Sequence, residues 1–156
     1  MELYLPVKLI HILSATVLFG TGAGIAFFMW QADRSGDAKV MAQVARHVVR
    51  ADLWFTTPAV VIQPLTGFWL MHLLGLPWST PWVVASLVLY VLIGCFWIPV
   101  VFIQMRVATI TGQLEKTGQT PSDSLKRSMR WWYSLGWPAF VSVLAIFYLM
   151  VYKPVF

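Results

Sequence analysis

Three stretches of the chain contain no Asp, Glu, Lys or Arg: those between Lys8 and Asp33, between Asp52 and Arg106, and between Arg130 and Lys153. They are apolar all round, as lipid-facing helices are, and lack the alternating segments of about ten residues that build a membrane barrel. A helix crosses a hydrocarbon core about 30 Å thick with about 20 apolar residues, so the outer stretches hold one helix each and the middle one holds two. The middle stretch breaks at Gly75-Leu76-Pro77-Trp78-Ser79-Thr80-Pro81, a turn that a continuous helix would not tolerate. The pattern predicts an all-α, four-helix antiparallel transmembrane bundle, one integral membrane domain over 1–156. Its spans fall at about 4–30, 51–74, 82–106 and 131–152.

Composition agrees with this and excludes a soluble fold. The 156 residues are 59% hydrophobic and 11% charged, with a mean hydropathy of +0.73, whereas soluble domains carry about 25% charged residues. The net charge of +5 does not imply nucleic acid, because the basic residues flank apolar runs instead of forming a stripe. Arg34, Lys39, Arg46 and Arg50 lie in one connection, 31–50, and Arg106, Lys116, Lys126, Arg127 and Arg130 in the other, 106–130. By the positive-inside rule these connections face the cytoplasm, and both termini and the Gly75–Pro81 turn are non-cytoplasmic. The expected location is the bacterial inner membrane. Glu2 in place of a basic n-region, and the long apolar run after it, predict a first span that is retained rather than cleaved as a signal peptide. Trp131, Trp132 and Tyr133 at one edge and Trp78, Trp82 and Tyr152 at the other fit aromatic belts. The stretch 110–125 reads as a solvated connection, and a lone Cys95 excludes disulfide and thiolate-zinc frameworks.

Two histidines fall at membrane depth, where a ligating residue is a functional candidate. His11 lies about 9 Å inside the start of helix 1 and His72 about 4–5 Å inside the end of helix 2, near the same non-cytoplasmic face. Histidines that face each other across a bundle are the usual holders of b-type haem, so both are candidate metal ligands. The alternative is two interfacial imidazoles bonded to headgroup water or to a hydroxyl such as Ser14. Lys8, one turn further out, either pairs with a haem propionate or snorkels to the interface. Gly22 returns to the His11 stripe and is expected to leave space there, while Gly20 and Gly24 form a GxxxG pair suited to close helix packing. His47 reads as a solvated loop or helix-start residue. Pro58, Pro64, Pro99 and Pro138 free backbone carbonyls, and Gln63 is the expected donor beside Pro64. Arg50 and Asp52 read as an interfacial anchor at the start of helix 2.

Lys8-Leu9-Ile10-His11-Ile12, Arg50-Ala51-Asp52-Leu53-Trp54 and Thr66-Gly67-Phe68-Trp69-Leu70-Met71 resemble a bacterial family of four-helix integral membrane proteins of unknown function. More remotely, through helices 1 and 2, they resemble HemJ-type membrane protoporphyrinogen oxidases and CopD-type copper-resistance domains. The oxidase resemblance implies that His11 is haem-linked. The chain departs from it at Ala85-Ser86-Leu87, where those oxidases carry a lysine, and at Phe96-Trp97, where a further histidine is expected. The resulting expectation is an inner-membrane redox protein that binds haem b and acts as an oxidoreductase on a quinol (quinone) or a tetrapyrrole such as a porphyrinogen. The alternative is a non-enzymatic assembly or copper-handling component without haem, contacting lipid, a membrane partner or a second copy. Copper is the weaker metal, because Cu(I) favours clustered sulfur ligands and the methionines are scattered.

Overall fold

The computed structural model describes residues 2–118 and 123–154, and among them every regular element is helical. Helix α1 spans Tyr4–Ser35 and ends on Gly36, whose left-handed φ of 67° suits glycine. Asp37 then caps α2, Ala38–Ala51, by accepting from the Lys39 backbone N–H at 2.7 Å. This helix corrects the reading of 31–50 as a loop. Met41, Ala42, Ala45 and Val48 recur at helical spacing and are buried, while Lys39, Arg46, His47 and Arg50 stay on the outer face.

A five-residue π turn, Asp52–Thr56, joins α2 to α3, Thr57–Leu73. Its cause is Pro58, which offers no N–H to the Trp54 carbonyl and whose ring would crowd that carbonyl in an α ladder. Widening the preceding turn relieves the conflict, and both the backbone N–H and the side chain of Thr57 bond the Asp52 carbonyl. Six residues further on, Pro64 frees the carbonyl of Val60. Tyr90, on the helix that follows, supplies the missing donor, not Gln63 as expected.

The turn at Gly75 separates α3 from α4, Pro81–Thr117, as the sequence predicts. Helix α4 runs well past 106 and α5, Asp123–Tyr152, starts well before 131, so most of the expected connection is helix. Residues 119–122 of it lie outside the described residues. Among the described residues three helices, α1, α4 and α5, are long and apolar enough to cross a membrane. Helix α3 alone has 17 residues, and the π turn extends the same rod.

The closest packing is α4 on α5, α2 on α4 and α1 on α3. Neighbours run antiparallel: His11 meets Thr66 while Ser14 meets Gln63, and Phe19 meets Phe140 and Phe147 while Asp33 accepts from Tyr133. The main apolar core lies at one end, among Ile25 and Met29 of α1, Ala45 and Val48 of α2, Val107 and Leu114 of α4, and Met129 and Trp132 of α5. Trp132 is therefore core rather than belt, whereas Trp131, Trp78 and Tyr152 are exposed.

Candidate functional site

At the opposite end, α1 and α3 meet through polar side chains inside otherwise apolar helices. His11 and Ser14 occupy positions i and i+3 of α1, and Gln63, Thr66 and Gly67 occupy i, i+3 and i+4 of α3, so each set shares a face. The His11 ring touches α3 at both nitrogens: Nδ1 lies 2.8 Å from Thr66 Oγ1 and Nε2 lies 3.1 Å from Gln63 Nε2.

The orientation of the Gln63 amide assigns the proton. The single Ser14 O–H is shared between Gln63 Oε1 and the His11 carbonyl, the latter 3.0 Å away, and with Gln63 Oε1 on Ser14 the amide nitrogen faces the imidazole. An amide nitrogen only donates, so His11 Nε2 accepts and Nδ1 carries the hydrogen. Nδ1–H donates to Thr66, whose hydroxyl passes its own hydrogen to the Ile62 carbonyl at 2.8 Å. The network is neutral and closed, as apolar surroundings require. Gly67 completes it by close approach: a Cβ there would stand 3.3 Å from His11 Cε1.

His72 is not brought to this cluster. It lies about 9 Å beyond Thr66 along α3 and about 120° around the helix, and it is exposed. There it lines a shallow cavity of about 170 Å³ with Phe68, Met71, Gly75, Leu76 and Trp78. Lys8 is exposed with Nζ 5.5 Å from the Tyr4 ring centroid, a snorkelling posture. Gly22 lies about 16 Å further along α1 than His11, and a Cβ there meets nothing within 4 Å. The same holds for Gly20 and Gly24, so among the described residues nothing closes on the Cβ positions of the GxxxG pair, and Gly67 is the glycine of close approach. His47 is exposed on α2. Among the described residues no three His, Cys, Asp or Glu gather as a metal site.

The partners that sequence reasoning missed are Thr66 and Gly67. Their signal was present: Gln63, Thr66 and Gly67 form a polar and small stripe at helical spacing on an apolar span.

A family model described as predicted integral membrane protein (DUF2269) matches residues 5–154. No curated protein and no solved structure matches the chain, so the likeness to HemJ-type and CopD-type proteins rests on the sequence motifs alone.

Proposed function

Since the chain belongs to this DUF2269 family of integral membrane proteins, we propose that it is a multi-pass protein of the bacterial inner membrane that binds haem b through His11. In this reading α3 is a fourth span and both termini are non-cytoplasmic. The observation that supports it is the state of the His11 ring. Thr66 holds Nδ1–H, which leaves the lone pair on Nε2, the tautomer in which a histidine ligates a metal while a second group orients the ring. Only the flexible amide of Gln63 stands on Nε2, and Gly67 puts no side chain against the ring edge. His72 has no share in this ligation, and Lys8 is the cation nearest in sequence for a propionate.

Haem, when bound, supplies one-electron chemistry, and a quinol or a porphyrinogen is the class of donor that fits a lipid-embedded site. The chain's own part is to fix the imidazole tautomer and to keep the ring from turning. The test is the absorption spectrum of protein purified from haem-replete cells. A Soret band is expected that His11→Ala removes and His72→Ala leaves in place, and a wild-type protein without one overturns the reading. One observation favours a second reading: both ring nitrogens already have protein partners. His11 is then a clamp between α1 and α3 in a non-enzymatic assembly component. A spectroscopically empty protein that His11→Ala destabilises would support it.

A further inference from the structure

A second cavity, of about 200 Å³, opens between α4 and α5 at the end of the molecule that holds the apolar core. Ile103 and Arg106 line it from α4, at i and i+3. Ser124, Arg127, Ser128 and Trp131 line it from α5, at i, i+3, i+4 and i+7, so each set is one helix face. The two serines are short and leave the space between longer neighbours. Ser128 is 8% exposed, and its hydroxyl donates back to the Ser124 carbonyl at 3.0 Å.

Two positive charges border this space without a partner. Arg106 and Arg127 are exposed, and the ion pairs among the described residues are Arg46–Glu115 and Lys126–Asp123. Among those residues no carboxylate lines the cavity; Asp52, read from sequence as an interfacial anchor, is buried elsewhere at 5% exposure. Two guanidiniums brought to one cavity favour an anion between them, and their planar forks suit a phosphate. The lining is also graded in depth. Ile103 lies about 4.5 Å further into the apolar stretch of α4 than Arg106, and Trp131 about 6 Å further along α5 than Arg127. The cations thus stand on the water side and the apolar groups on the membrane side, with Trp131, 59% exposed, at the level where an indole meets headgroups. A phospholipid has the same order, phosphate above acyl chains, whereas free phosphate makes no use of an isoleucine and an indole.

We infer that this cavity binds the phosphate of an anionic phospholipid between Arg106 and Arg127, with the glycerol and upper acyl carbons against Trp131 and Ile103. Basic pockets between membrane helices recognise headgroups in this way. The headgroup carries a net negative charge because two cations meet one phosphodiester; a zwitterionic lipid would bring an ammonium of its own to them. The lipid lies across the face shared by α4 and α5.

The test is native mass spectrometry of the delipidated full-length chain in detergent, titrated with phosphatidylglycerol or phosphatidylcholine, and with inorganic phosphate as competitor. Phosphatidylglycerol should bind saturably and in preference to phosphatidylcholine. Arg106→Gln and Arg127→Gln change exposed side chains without partners, so both should fold, and each should weaken that binding about fivefold. Lys126→Gln removes the same charge from the same helix outside the cavity and should leave binding nearly unchanged. Equal retention of the two lipids overturns the inference, as does unchanged binding in either arginine variant. An equal loss in Lys126→Gln overturns it by showing a diffuse basic surface. Displacement by inorganic phosphate at the lipid's own concentration overturns it by assigning the cavity to a free anion.

Discussion

Replacing Gly67 by Leu while separately replacing Gly20 by Leu sets the two ends of one argument against each other. At Gly67 even the first added atom would sit 3.3 Å from His11 Cε1, and the ring cannot recoil without lengthening bonds of 2.8 and 3.1 Å to Thr66 and Gln63. Overpacking of this kind costs about 1–3 kcal/mol. Buried interhelical hydrogen bonds in membranes add about 0.6 kcal/mol each when lost. Leucine's better helix propensity returns about 0.8 kcal/mol, so the net loss stays at about 1–3 kcal/mol. At Gly20 an added Cβ meets nothing within 4 Å, and Gly20→Leu should leave the monomer unchanged or slightly stabilised. Unfolding in mixed micelles of rising SDS content, followed by circular dichroism, measures both. Equal stability of Gly67→Leu and wild type would refute the close approach. Equal damage from Gly20→Leu would show that its face packs against another helix, one supplied by a second molecule.

Thr66→Val should cost about 0.6–1.7 kcal/mol in the same titration, because it orphans His11 Nδ1–H inside the bundle; an unchanged midpoint would dissolve the network. Met29→Ala, at a position with 0% exposure, should cost about 2–5 kcal/mol, which thermal unfolding reads directly. Arg46→Ala removes a pair at 3.0 Å whose side chains are 45% and 34% exposed, and should cost less than about 1 kcal/mol, fading as salt is added. A topology reporter fused after Phe156 should read as non-cytoplasmic, because nine of the eleven basic residues lie in the two longer connections; a cytoplasmic signal would reverse the orientation.

The apolar runs and the Gly75–Pro81 turn were legible because a break in hydropathy is a one-dimensional signal. Helix α2 was not, because its apolar residues are interleaved with Lys39, Arg46 and Arg50, and only the recurrence at 41, 45 and 48 separates a helix from a basic loop. The His11 cluster was half legible. The histidine announced itself by its depth, but its partners depend on which faces of α1 and α3 turn together, and depth alone favoured His72, which lies on another face. Tyr90 was invisible for the same reason: nothing local says that a phenol on α4 will reach the carbonyl that Pro64 leaves open. Asp52 misled because a carboxylate at a helix start is normally solvated, and here a proline-driven π turn carries it inward.

The concentration of interlocked apolar side chains at one end has a mechanical result. Helices α1 and α3 form one arm and α4 and α5 the other, and α3 and α4 are not among the extensive helix pairs. The interlocked core that joins the arms sits beside α2; beyond it they touch through Tyr90 on the Val60 carbonyl and Phe19 against Phe140 and Phe147. The molecule is built as tongs held at the grip. A rotation of about 5° at the grip, carried across a span of about 30 Å, moves the far tips by about 3 Å. Backbone amides near His11 should therefore exchange with solvent deuterium before those near Met29. Whatever slips between the tips arrives sideways, out of the acyl chains, rather than down an aqueous shaft.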